Sequence, residues 1–316
     1  MKKLILKQFL LQNFIHSMLL LTGMLSLMAF MGYLLAGLVG VIMLIISGLI
    51  IVWSAPRIST RFIMHIYGAQ AVNRQQLPEI YKLLQLLADR AHLQNIPQLY
   101  YLPSHAMLAF SVGIKGDEAV ILSDAMLRRL NLRELTAVLA HEISHIYNKD
   151  ISVMMLADLI SRFTAILAMT GYILIMIYLP FYIFTDHKIP WLFLAILMLA
   201  PNVSAILQLA LSRTREFNAD FNAVLLTGDP QGLASALSKI EHFQGHWFET
   251  VLLPNRKLPD PSLLRTHPKT SDRIDRLLAL NGTGYNDSDS HDVDLDLSAF
   301  KPYHHHKKRR FNGFWY

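Results

Sequence analysis

The residues of this chain with the clearest capacity for chemistry are His141, Glu142 and His145, in the run His141-Glu142-Ile143-Ser144-His145. On a helix, side chains four apart lie on one face about a turn apart, so both imidazoles reach a single ion while Glu142 stands beside it. A carboxylate so placed can take the proton of an activated water, which makes metal-assisted hydrolysis the leading chemistry. Ile143 and Ser144 are spacers. An ordinary helix can carry two histidines at this spacing, so the surrounding sequence has to decide.

A catalytic zinc commonly takes three protein ligands and a water, so a distant His, Glu or Asp must join the pair. Glu216 is the candidate. It lies in Ser212-Arg213-Thr214-Arg215-Glu216-Phe217-Asn218-Ala219-Asp220, which is helical in pattern, with Asp220 four residues on along the same face. Glu216 would bind the metal while Asp220 orients a ligating imidazole. Taken without the first motif, the same stretch is an exposed charged segment after an apolar helix. His267 and Arg273 are candidates for a cation or hydrogen bond to the oxyanion formed when water attacks a carbonyl. In isolation they are a loop histidine and a helix-surface arginine.

The elements that must position these groups are partly legible. Asn131 and Glu134 have the order of a capping box, and Leu135, Val138, Leu139 and Ile143 follow with helical period, which predicts a helix over about 132–148. Pro78 opens a helical pattern to about Leu93, and Gln98 to Leu102 is a short strand. Ala106 to Ile114 and Ala119 to Ser123 form a predicted hairpin joined by Lys115-Gly116-Asp117-Glu118. Within it Ala109, Phe110, Ser111, Val112 and Gly113 are a candidate substrate strand, since an edge strand can pair with an extended peptide through its main chain. A purely structural hairpin accounts for them equally well. Further helices are expected from Pro230 to about Phe243 and from about Ser271 to Leu280, with a Pro-rich loop between them.

At 316 residues, 53% hydrophobic and 16% charged, the chain is too apolar for an ordinary soluble domain. No Asp, Glu, Lys or Arg occurs from Gln8 to Pro56. A straight helix of that length would measure about 70 Å, against a hydrocarbon core of about 30 Å, so the block is expected to be two spans, roughly 14–34 and 37–55, turning near Gly32 to Gly40. Uncharged windows from Phe163 to Thr185 and from Ile189 to Ser212 add two more, with Pro180, Pro190 and Pro201 expected to kink or bound them. Four transmembrane helices result. Lys2, Lys3, Lys7, Arg57, Arg61, Lys149, Arg162, Arg213 and Arg215 flank one side and only Lys188 the other, which places both termini and both metal motifs on the cytoplasmic side.

The chain thus divides into an N-terminal hairpin (1–56), a polar part with the first motif (57–150), a second pair of spans (151–212), a polar part with Glu216 (213–282) and an acidic then basic tail (283–316) expected to be disordered. The absence of cysteine excludes disulfides and thiolate ligands and agrees with a reducing compartment. The net charge of +6 rests on that tail and the juxtamembrane residues, so nucleic acid is not an expected partner. The expected fold is a mainly α membrane protein carrying a cytoplasmic α+β domain with a small edge sheet.

Taken together, these residues resemble the HtpX-like membrane zinc metallopeptidases, relatives of the CAAX prenyl protease. His141 through Asp150 is similar to the family's zinc motif with its downstream Asn148 and Asp150. Glu216 with Asp220 is similar to its third-ligand motif, and Thr266-His267-Pro268 through Arg273-Ile274 to its C-terminal element. The resemblance implies a zincin-like domain, one Zn2+ per chain on His141, His145 and Glu216, and Glu142 as general base, with Asp220, Asn148 and Asp150 supporting the ligands. It also implies an endopeptidase acting on membrane or misfolded proteins at the cytoplasmic face of a bacterial inner membrane, in protein quality control. One departure stands out: where the family often has Asn in its edge strand, this chain has Leu108. A non-proteolytic membrane scaffold retaining the fold is the alternative. A transporter using the histidines ranks last, because the spans carry no Asp, Glu, Lys or Arg.

Overall fold

The computed structural model describes residues 2–54, 60–113, 116–184, 191–251 and 270–282. His267 and the tail beyond 282, both singled out from the sequence, lie outside them. In chain order the elements are α1 (Lys2–Ser54), α2 (Thr60–Tyr67), β1 (Gln70–Ala71), α3 (Pro78–Arg90), β2 (Gln98–Leu102), β3 (Ala109–Val112), β4 (Ala119–Ser123) and α4 (Asp124–Arg129). There follow α5 (Leu132–Tyr147), α6 (Asp150–Phe184), α7 (Trp191–Thr227), α8 (Pro230–Val251) and α9 (Thr270–Gly282).

α1 is broken at Ala36 and Gly37, whose backbones leave the helical region, Gly37 at φ 60°. A methyl group built on Gly40 would collide with the carbonyl oxygen of Gly32, and one on Gly32 with the Leu44 side chain. Residues eight apart in a straight helix are about 12 Å apart along its axis, so these contacts require the chain to fold back on itself. Glycines at 32 and 40 permit the close approach, and Gly37 permits the positive φ of the turn.

α6 and α7 pack against this hairpin through Leu21, Met24, Ala157, Ile160 and Leu211, and further along through Met31, Ala168, Leu197 and Ala200. Ser161 and Ser204 hydroxyls meet at 3.0 Å between the helices. The outer faces expose Ile166, Met176, Ile177, Leu192 and Ile206, an apolar surface suited to lipid rather than water. Three helices are long and apolar enough to cross a bilayer, Leu11–Ile50, Asp150–Pro180 and Trp191–Thr227, so this is a multi-pass membrane protein. Pro180 and Pro201 lie inside α6 and α7 and bound neither. Both helices outrun the uncharged windows of the sequence, so α7 carries its apolar stretch and the Glu216 segment as one continuous rod.

The sheet has the order β1-β2-β4-β3, with β2 and β4 parallel and β3 antiparallel to β4 at the edge. β3 is shorter than the expected 106–114. β4 is buried on both faces: Val120 and Leu122 face a core shared with Leu83, Leu84 and Leu87 of α3 and Leu139 and Ile143 of α5, whereas Ala119 and Ile121 face Met64 of α2. Burying a Leu or Ile such as Leu139 or Ile143 contributes about 1.5–3 kcal/mol, which seats α5 firmly. The capping box forms: Glu134 N donates to Asn131 Oδ1 at 2.8 Å and Asn131 N to Glu134 Oε2 at 2.9 Å. Glu134 is buried and also accepts from Ser235 and Lys239 of α8, locking the start of α5 to a neighbour.

Candidate metal centre

α5 presents His141 and His145 toward α7, which supplies Glu216. Their metal-binding atoms lie within 4.8 Å of one another. His141 Nε2 is 3.1 Å from His145 Nε2 and 3.5 Å from Glu216 Oε2, and His145 Nε2 is 3.7 Å from Glu216 Oε1. Ligands about 2.1 Å from a tetrahedral zinc stand roughly 3.4 Å from each other, so these separations fit one ion at their centre.

The other ring nitrogens face carboxylates. His141 Nδ1 lies 3.0 Å from Asp220 Oδ1, and His145 Nδ1 lies 2.7 Å from Asp150 Oδ2. A ring nitrogen facing a carboxylate carries the proton, which leaves a lone pair on each Nε2. At 3.1 Å the two Nε2 atoms are close enough to share a proton or to ligate one metal ion. Each carboxylate is in turn held by an arginine. Arg215 Nε donates to Asp150 Oδ1 at 2.5 Å, and its Nη2 donates to the Asn148 carbonyl at 3.0 Å. Arg273 of α9 donates to both Asp220 oxygens, at 2.7 and 2.5 Å, and its Nη1 is 3.1 Å from Glu216 Oε2. Two parallel chains result, His145–Asp150–Arg215 and His141–Asp220–Arg273.

Local backbone geometry explains how Asp150 gets there. Asn148 ends α5 and Lys149 takes the left-handed conformation, φ 56°, so that α6 starts at once with Asp150 turned back under His145. The strain at Lys149, of order 1–2 kcal/mol, is offset by the contacts it makes possible.

Charge makes the same demand. Glu142, Asp150, Glu216 and Asp220 are buried, as are Arg215 and Arg273. With both imidazoles neutral, as metal ligands are, four carboxylates against two guanidiniums favour a divalent cation in this region of low dielectric. Burial alone pushes the His141 imidazole down, but Asp220 and Glu216 outweigh it and hold the ring up at about 10. His145 is raised for a similar reason, burial being outweighed by Asp150 and Glu216. The carboxylates around the two rings thus favour positive charge at this point.

The structure brings His141, His145, Glu216, Asp220 and Asp150 together. Asn148 joins through its backbone carbonyl, while its amide Nδ2 has no hydrogen-bond partner among the described residues. Arg273 is buried, with its guanidinium on Asp220 and Glu216, and Glu142 is near enough for its charge to bear on that guanidinium. β3 runs beside α5 with its outer edge unpaired among the described residues. Leu108 lies just outside β3, donating its N–H to Ser123 Oγ at 3.0 Å, with its side chain on the Met64 cluster. Arg215 has a different place from the one its sequence suggested: it is buried against Asp150 and does not flank a span in solvent. The available signal was its spacing of four from Leu211 and Ala219, both on the buried stripe of α7.

The family model of Peptidase family M48 matches residues 74–281, which hold every candidate ligand and every residue supporting them named above. A protease HtpX homolog of Acaryochloris marina is 38% identical over 237 residues, spanning 70% of this chain and 78% of that relative. A protease HtpX homolog of Desulfatibacillum aliphaticivorans is 32% identical over 283 residues, spanning 84% of this chain and 89% of that relative. The crystal structure of S. mikatae Ste24p superposes with a TM-score of 0.41 at 20% identity, covering 85% of this chain and 66% of that one.

Proposed function

Since the chain belongs to peptidase family M48, we propose that it is a zinc-dependent endopeptidase that hydrolyses peptide bonds of membrane or misfolded proteins at the cytoplasmic face of the inner membrane. The observation that carries this is the convergence of both Nε2 atoms and the Glu216 carboxylate on one point inside a buried cluster rich in carboxylates. His141, His145 and Glu216 would hold one zinc, and Asp220 and Asp150 fix the tautomer and aim of the two rings. When bound, zinc lowers the pKa of a coordinated water to about 7 and polarises a carbonyl.

The chain's own residues do the rest. Glu142 accepts the proton of the attacking water on its carboxylate and returns it to the nitrogen of the leaving amine. Arg273 positions Glu216 and Asp220 and offsets part of their charge, whereas His267 supplies the hydrogen bond to the oxyanion. Residues 109–113 align an extended substrate along the open edge of β3. Ser123 N donates to the Leu108 carbonyl at 2.9 Å, and antiparallel alternation then points the Ala109 and Ser111 main chain outward, toward a substrate. The hairpin of α1 with α6 and α7 makes four crossings, with both termini and the centre on the basic, cytoplasmic side. A role in protein quality control belongs to this proposal through the resemblance to the HtpX-like peptidases.

Glu142→Gln in the purified full chain tests this. Zinc content should be unchanged, with cleavage of an unfolded membrane protein reduced by about 100-fold or more. Undiminished cleavage would remove Glu142 from the chemistry, and no cleavage by the unaltered protein would favour a scaffold.

A further inference from the structure

We propose that α2 is a membrane-surface helix whose Phe62–Ile66 edge enters the lipid headgroup region and fixes the height of the β3 edge above the bilayer. Thr60 and Met64 form the buried side of α2, Met64 only 1% exposed. At about 100° per residue, Phe62 and Ile66 fall on the opposite side, and they are 61% and 68% exposed. Outside the three long apolar helices, the large apolar side chains exposed among the described residues are Phe62, Ile66, Tyr67, Tyr147 and Leu278. Three of these five belong to the eight residues of α2.

Position, charge and size select lipid as the occupant. α2 begins six residues after Ser54, the end of the apolar hairpin, so its start is within about 20 Å of a membrane exit. Arg61 and His65 lie beside the apolar edge, Arg57 and Arg74 bracket the helix, and no Asp or Glu precedes Glu79 in the chain. That composition suits an anionic leaflet, with an apolar edge inserted and basic side chains at the phosphates. Phe62 and Ile66 together expose on the order of 250 Å², well below the roughly 800 Å² per partner of a stable protein interface.

α2 is bound firmly to the sheet. Thr60 N donates to Asp117 Oδ2 at 2.9 Å and Thr60 Oγ1 to the Asp117 carbonyl at 2.6 Å. The Tyr67 and Phe110 rings lie 5.6 Å apart, and Met64 packs under Tyr100, Leu102 and Ile121. Whatever depth α2 adopts is therefore passed to β3. Only the consequence, that substrates reach β3 as they leave the bilayer, rests on the proposed peptidase activity; the lipid contact itself needs no catalysis.

The absence of cysteine makes the test direct. Full-length Phe62→Cys, Ile66→Cys and, on the exposed side of α3, Gln85→Cys are each spin-labelled in nanodiscs of phosphatidylethanolamine and phosphatidylglycerol. Labels at 62 and 66 should be several-fold more accessible to oxygen, relative to a nickel chelate, than the label at 85. Nickel accessibility like that at 85 would overturn the proposal, as would shielding of either label from both reagents, which signifies a protein cover. The Glu142→Gln background should give the same immersion, separating this result from any failure of the peptidase assignment.

Discussion

Asp150→Asn is the sharpest test of how the centre is supported. Asp150 is 3% exposed and accepts from His145 Nδ1 at 2.7 Å and from Arg215 Nε at 2.5 Å. Asparagine keeps the shape but offers one acceptor oxygen and one donor nitrogen. With the oxygen kept on Arg215, the NH2 faces His145 Nδ1 and forces the proton to Nε2, the atom that must bind metal. Loss of a carboxylate behind a ligating histidine costs 10- to 100-fold in metal affinity, or about 1.4–2.7 kcal/mol, and this geometry points to the upper end. Competition with a chromophoric zinc chelator measures it. Adding Arg215→Leu removes the buried guanidinium left short of a partner, so thermal stability should recover while zinc affinity should not. An Asp150→Asn protein that binds zinc within threefold of the unaltered chain would refute the tautomer argument.

Other consequences are readily measured. Gly40→Leu drives a side chain into the Gly32 carbonyl, so the full chain should aggregate at a clearly lower temperature in detergent, whereas Gly48→Leu, with open space around it, should not. Burial raises the Glu134 carboxyl, but Lys239, Ser235 and Asn131 outweigh burial and hold it below the usual range. Its stabilisation is thus complete above the usual carboxylate value and fades as pH falls through the lowered one; Glu134→Gln should cost about 1–2 kcal/mol at pH 7 and flatten the acid limb of an unfolding-against-pH curve. Ser111→Pro removes an outward donor from β3 without touching its ladder to β4, so kcat/KM for extended peptides should drop about fivefold with zinc content unchanged. An unchanged kcat/KM would take β3 out of substrate alignment.

Sequence reasoning succeeded where the cause was local. The Asn131–Glu134 capping box is complete within four residues, and the helix it opens ends at Tyr147, one residue from the expected bound. Uncharged windows located the apolar helices but not their ends, because a span is limited by charge whereas a helix continues while its hydrogen bonds do. α6 therefore begins at Asp150 and α7 runs on to Thr227. For the same reason Pro180 and Pro201 are accommodated within helices. What escaped notice depends on distant partners. Arg215 looked like a juxtamembrane charge because its carboxylate, Asp150, lies 65 residues away. Arg273 read as a helix-surface residue when taken in isolation, because its 53-residue tie to Asp220 is invisible without the fold. β1 is two residues long and exists only by pairing with β2.

The central claim is that Glu216, carried on the end of a helix that also lies among the apolar ones, completes a metal site begun by two histidines on α5. Metal analysis of the purified full chain beside Glu216→Ala addresses it most directly. One tightly held zinc per unaltered chain, with affinity reduced by more than about 100-fold in Glu216→Ala, is the predicted result. Equal, tight binding of one zinc by both proteins would contradict it.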